Sequence, residues 1–140
     1  MRRVFLDANV LFTAAHNPTG KAAFVVELAR QGHWDVLTSA FAVEEARRNL
    51  ARKYSDCLPT FERIIADVTV IAIRRADECW LPLPEKDRPI FAAAHQCGAT
   101  HRLTGDRRHF GPFMNDPAQT AGIMIQTVAD FLRDVSRTAG

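Results

Sequence analysis

The chain predicts an α/β fold on a central parallel sheet of about five strands. Short apolar runs alternate with longer segments of helical periodicity, which is the pattern of βαβ units. The run Val4-Phe5-Leu6 is too short to be anything but a buried strand, and it ends on Asp7. A later run, Leu103-Thr104-Gly105-Asp106, ends on an aspartate in the same way.

Taken in order, residues 3–6 form the first strand and residues 9–15 a helix. His16-Asn17-Pro18-Thr19-Gly20 is a turn cluster. Residues 22–30 read as a second helix that stops near Gly32, and residues 34–38 as the second strand. Ser39 is a favoured N-cap for the next helix, whose apolar stripe is Val43, Ala46 and Leu50. Another helix spans residues 59–66, and the β-branched stretch 68–73 makes a third strand. Residues 74–84, with Trp80 and two prolines, form an irregular connection. A helix opens at Asp87, presents Ile90, Phe91, Ala94 and Cys97 on one face, and ends at Gly98.

Residues 100–104 form the fourth strand. A central parallel strand is normally a continuous apolar run, so His101 and Arg102 imply one of two things. Either this strand begins late, or the two residues lie at its exposed N-terminal end. The loop 111–121 leads to a short fifth strand at 123–125. Thr127, with Asp130 three residues later, approximates a capping box for a last helix with Val128, Phe131, Leu132 and Val135 on one face.

A length of 140 residues suits one domain, 1–140, with a substantial core and no staples. The formal charge of +2 permits an anionic partner without demanding one. Cys57, Cys79 and Cys97 are odd in number and form no C-x-x-C pair, so they read as small apolar residues in a reduced compartment. Asp7 and Asn9 interrupt any signal-peptide core after Arg2 and Arg3. No window approaches the roughly 20 apolar residues of a membrane span. The expectation is a cytoplasmic chain with no membrane partner.

Four separated acids, Asp7, Glu45, Asp87 and Asp106, stand where such a sheet would deliver them to one edge. In an open parallel sheet, ligands bind outside the carboxyl ends of the strands, near the point where strand order reverses. Crowded carboxylates need a cation, because like charges a few ångströms apart cannot all stay ionised. Mg²⁺ and Mn²⁺ favour such oxygen ligands. Each acid has a plainer reading as well. Asp7 suits a helix N-cap, and Asp87 begins a proper helix start before Arg88-Pro89. Asp106 after Gly105 suits a turn, and Glu45 beside Glu44 suits a solvated helix face.

Phe5-Leu6-Asp7-Ala8-Asn9, Ser39 with Glu45 six residues on, Asp87 opening a helix with Ala92-Ala93-Ala94, and Leu103-Thr104-Gly105-Asp106 together resemble the PIN-domain family, in particular its VapC-like toxin branch. The resemblance covers almost the whole chain. It implies a three-layer α/β/α fold and a Mg²⁺- or Mn²⁺-dependent endoribonuclease that cuts single-stranded or looped RNA. It further implies the toxin of a toxin–antitoxin pair, with a small antitoxin protein as partner. Asp7, Glu45, Asp87 and Asp106 would then be the acidic metal-binding set, supported by hydrogen bonds from Asn9 and Thr104. Helical periodicity does not itself choose Glu45 over Glu44; the spacing from Ser39 and to Leu50 favours Glu45.

No serine has a G-x-S-x-G context and no cysteine has an evident histidine partner, so metal-activated water is the expected attacker. Hydrolysis of that kind leaves a 5′-phosphate and a 3′-hydroxyl. RNA needs positive charge beside the acidic edge. Arg107 and Arg108 directly follow a proposed ligand, and Arg48 lies among the cations Arg47, Arg52 and Lys53 that follow Glu45. His109, Phe110 and Phe113 could stack on unpaired bases, although Phe110 also suits the core, and His95 reads as structural. Trp80 and Leu81 make a homodimer plausible. Two other readings compete. A haloacid-dehalogenase-like phosphatase would use Asp7 as nucleophile, but Asn9 stands where that family wants a second aspartate. A non-catalytic PIN-like module would bind RNA or protein without cutting.

Overall fold

The computed structural model describes residues 1–72, 98–120 and 122–139. Within them the chain forms β1 (Arg3–Leu6), α1 (Ala8–His16), α2 (Lys21–Arg30), β2 (Asp35–Ser39), α3 (Ala40–Lys53), α4 (Leu58–Ala66) and β3 (Thr69–Ile71). After residues 73–97 come β4 (His101–Leu103), a single helical turn Arg107–Phe110, β5 (Met124–Gln126) and α5 (Val128–Ala139). The expected helix opening at Asp87 lies outside the described residues, as do Trp80, Leu81, His95, Cys79 and Cys97.

All five strands are parallel, in the order β3-β2-β1-β4-β5. From the central β1 the chain runs outward through β2 to β3, then returns to place β4 on the other flank of β1. Strand order therefore reverses between β1 and β4, and the crevice at their carboxyl ends is where this architecture holds ligands.

Local chemistry accounts for the elements. The Ser39 hydroxyl accepts a hydrogen bond from the Ala42 amide at 3.0 Å, capping α3 as its sequence requires. Val43, Ala46 and Leu50 are all buried along the face that α3 turns inward. Past α2 the chain turns at Gly32 with φ +90°, a conformation that costs a residue with a Cβ dearly. Trp34 was expected to open β2 but precedes it. Its ring meets Phe131 of α5 edge-on at 5.0 Å, and its Nε1 donates to the Val25 carbonyl at 3.1 Å, locking α2 and α5 together. The Thr127 hydroxyl accepts from the Asp130 amide at 3.1 Å, so the expected cap of α5 is formed.

One expectation fails. β4 neither begins late nor exposes Arg102: the strand starts at His101, and Arg102 is only 1% exposed. The register pairs Phe5 of β1 with Arg102, and Arg102 with Ile125 of β5, so the guanidinium lies on an interior face of the sheet. A buried charge persists only when paired, and its partner belongs to the functional site. Among the described residues, no helix is long and apolar enough to cross a membrane.

Candidate functional site

Asp7 follows β1 directly and is 4% exposed. Its amide donates to the Leu103 carbonyl at 3.1 Å, carrying the β1–β4 ladder one step past the strand end. By position it is the N-cap of α1, yet its side chain makes no capping hydrogen bond. The carboxylate instead meets the guanidinium of Arg102, with Oδ1 2.6 Å from Nη2. That guanidinium also lies over the Phe110 ring, 4.3 Å from its centroid. The plain capping reading of Asp7 thus lacks the hydrogen bond it needs.

Asp106 is presented by a loop that Asn9 and Thr104 clasp. Asn9 Oδ1 accepts from the Gly105 amide at 2.8 Å, and Asn9 Nδ2 donates to Thr104 Oγ1 at 3.3 Å. The same Thr104 oxygen accepts from the Asp106 amide at 3.0 Å. A Cβ at position 105 would stand 3.4 Å from Asn9 Oδ1, at the tight edge of ordinary contact. Asn9 and Thr104 therefore act on the backbone that carries Asp106. Asp106 is half-buried, and its carbonyl accepts from the Phe110 amide at 3.2 Å, closing the helical turn. In α3, Glu45 is half-buried whereas Glu44 is exposed. Asp87 lies outside the described residues.

The proposed RNA contacts divide. Arg107 and Arg108 are exposed on the turn after Asp106, which Phe110 anchors into a small cluster with Ile123 and Ile125. Arg48 is exposed one helical turn from Glu45. Arg47 is committed elsewhere, bound through Nε and Nη2 to both oxygens of Glu62 at 2.8 Å. That hydrogen-bonded pair holds Arg47 above its ordinary pKa and Glu62 below its own. Phe110 is buried, as its core reading expected, Phe113 is half-buried, and the His109 side chain lies outside the description. A cleft of about 510 Å³ adjoins the clasp, lined by Asn9, Thr104, Gly105, Thr13, Lys21 and Thr127 among others. Lys21 gave no signal in the sequence. Arg102 gave one that pointed the wrong way, since an arginine inside a central parallel strand can be buried only with an acid beside it.

The oxygen-rich donor set fits a hard divalent ion. Among the described residues, no three His, Cys, Asp or Glu side chains gather closely enough to hold an ion by themselves. Mg²⁺ does not need three, because it commonly takes one or two carboxylates and keeps its waters. Asp7 and Asp106 stand at the ends of adjacent strands, β1 and β4.

A profile described as "PIN domain" matches residues 3–108. No curated protein matches the chain. Among solved structures, VapBC2 from Rickettsia felis, bound to a promoter DNA fragment, superposes with a TM-score of 0.65 at 12% identity, covering 89% of this chain and 98% of that one. DNA-bound VapBC from Salmonella typhimurium gives 0.64 at 17% identity, over 91% and 99% of the two chains. Mycobacterium tuberculosis VapC20, described as a sarcin-ricin loop cleaving toxin, gives 0.59 at 14% identity, over 79% and 95%. At such identities these likenesses establish a shared fold.

Proposed function

Because this chain belongs to the PIN-domain family, we propose that it is a metal-dependent endoribonuclease that hydrolyses phosphodiester bonds of single-stranded or looped RNA. The observation that supports this reading is that Asp7 ends β1 and Asp106 follows β4, adjacent strands between which strand order reverses. In this proposal Asp7, Glu45, Asp87 and Asp106 hold Mg²⁺ or Mn²⁺. The half-burial of Glu45 beside an exposed Glu44 supports Glu45 as the helical member. A bound divalent cation supplies an activated water and neutralises charge on the phosphate and leaving oxygen.

The chain's own residues do the rest. Asn9 and Thr104 hold the Gly105–Asp106 backbone, so that the Asp106 carboxylate keeps its place as charge builds. Arg107, Arg108 and Arg48 bind RNA phosphates around the acidic edge, where the acids alone would repel the substrate. The cleft beside the clasp has room for an unpaired nucleotide, with Lys21 at its rim. The physiological role is the toxin of a toxin–antitoxin pair in the cytoplasm. This rests on the resemblance to VapC-like proteins and on the shared fold with VapBC and VapC20. A small antitoxin is the expected partner.

The purified chain should cut single-stranded RNA in Mn²⁺ or Mg²⁺, leave single-stranded DNA largely intact, and stop when a chelator is added. End-group analysis should find 5′-phosphates. Metal-independent cleavage, or 2′,3′-cyclic phosphate as the main product, would contradict the mechanism. RNA retention without cutting in Mn²⁺ would favour the non-catalytic module instead.

A further inference from the structure

Arg102 is a charge at a position where a central parallel strand ordinarily carries an apolar residue. It lies on an interior face of the sheet, is 1% exposed, and contacts Asp7 at 2.6 Å beneath the Phe110 ring. We propose that Arg102 is a resident counter-cation of the acidic crevice, competing with the divalent metal for Asp7. The inference rests on the reading of Asp7 as a metal ligand.

A carboxylate as buried as Asp7 needs compensating charge, and the guanidinium supplies it when no metal is bound. A divalent ion brought to the same carboxylate meets that guanidinium at close range, where repulsion is weakly screened. Arginine cannot relieve the conflict by losing a proton, so the ion and the guanidinium must share or contest one carboxylate, and the Asp7–Arg102 contact weakens. The Phe110 ring, with its centroid 4.3 Å from the guanidinium carbon, helps keep the displaced guanidinium inside, so the competition is retained. The consequence is a chain that stays folded without metal and binds it less tightly than its carboxylates alone would allow.

Calorimetric Mn²⁺ titration of the wild-type chain, R102M, R102K and D7N tests this directly. R102M keeps a long side chain without the charge. It should bind Mn²⁺ at least about fivefold more tightly, the lower end of ordinary coupling between two sites. Its metal-free form should melt at a lower temperature than wild type and recover when Mn²⁺ is added. R102K, which keeps the charge, should bind Mn²⁺ as the wild type does. Unchanged or weaker Mn²⁺ binding by R102M would overturn the proposal, because a purely structural or positioning role predicts that result. If R102M does not fold without metal, the wild type still decides. The Arg102 Nε–Hε resonance should move along the Mg²⁺ binding isotherm, and a resonance unmoved at saturation would overturn the competition. D7N binding Mn²⁺ as tightly as wild type would instead remove Asp7 from the ligand set, a failure distinct from that of the Arg102 inference.

Discussion

His101 opens β4 between the exposed Thr100 and the buried Arg102, and its environment makes it a reporter of the fold. Burial, with repulsion from Arg2 next and attraction to Asp134 opposing both, holds its imidazole below the ordinary value of 6.5. The ring meets Phe131 edge-on at 5.2 Å, and Nδ1 lies 2.8 Å from the Thr100 hydroxyl. In the unfolded chain the ring takes up a proton as pH falls through about 6.5, while the folded chain resists until a lower pH. The unfolded state then binds more protons, so stability falls as pH drops below that value and levels off once the folded ring also titrates. Urea midpoints of wild type and His101→Gln at about pH 5.5 and about pH 7.5 check this. The lost ring contact lowers both midpoints of the variant, but its drop between the two conditions should be smaller than that of wild type. Equal drops would contradict the account.

At the scale of elements, α3 and β4 mark what the sequence discloses and what it withholds. Everything that makes α3 is local: Ser39 caps it, and Val43, Ala46 and Leu50 recur on one face. Ser39→Ala should lower stability by about 1 kcal/mol, read as a shift of the urea midpoint without a change of slope. An unchanged midpoint would mean that the observed cap contributes nothing. The choice between Glu45 and Glu44 was less legible, because both lie off the apolar stripe and only packing separates half-buried from exposed. The burial of Arg102 was not legible because its partner, Asp7, lies just past the end of another strand, far away along the chain. Pattern within a strand reports the demand for a counter-charge, and only the register of β1 against β4 shows how it is met. The clasp at Asp106 was half legible. The motif placed Asn9 and Thr104 nearby, but their hydrogen bonds run to the loop backbone as well as to each other.

At the scale of the molecule, five short runs in a βαβ pattern were enough to foresee a parallel sheet, and their order places its reversal between β1 and β4. A net charge of +2 cannot by itself attract RNA, so the distribution of charge has to. With Arg47 held by Glu62, the proposed RNA contacts are Arg107, Arg108 and Arg48, all exposed. Replacing Arg107 and Arg108 by alanine should flatten the dependence of log affinity on log salt by about 1.4, or about 0.7 for each lost contact to a single strand. Binding measured in chelator, where RNA survives, checks this; an unchanged slope would move the RNA path elsewhere. The central claim is that the crevice between β1 and β4 is a metal-dependent cutting centre. Its most direct test compares the wild-type chain with Asp7→Asn/Asp106→Asn on single-stranded RNA in Mn²⁺. The double variant should lose at least about 100-fold in cleavage rate, beyond the usual effect of removing an outer-shell partner alone, whereas an undiminished rate would contradict the account.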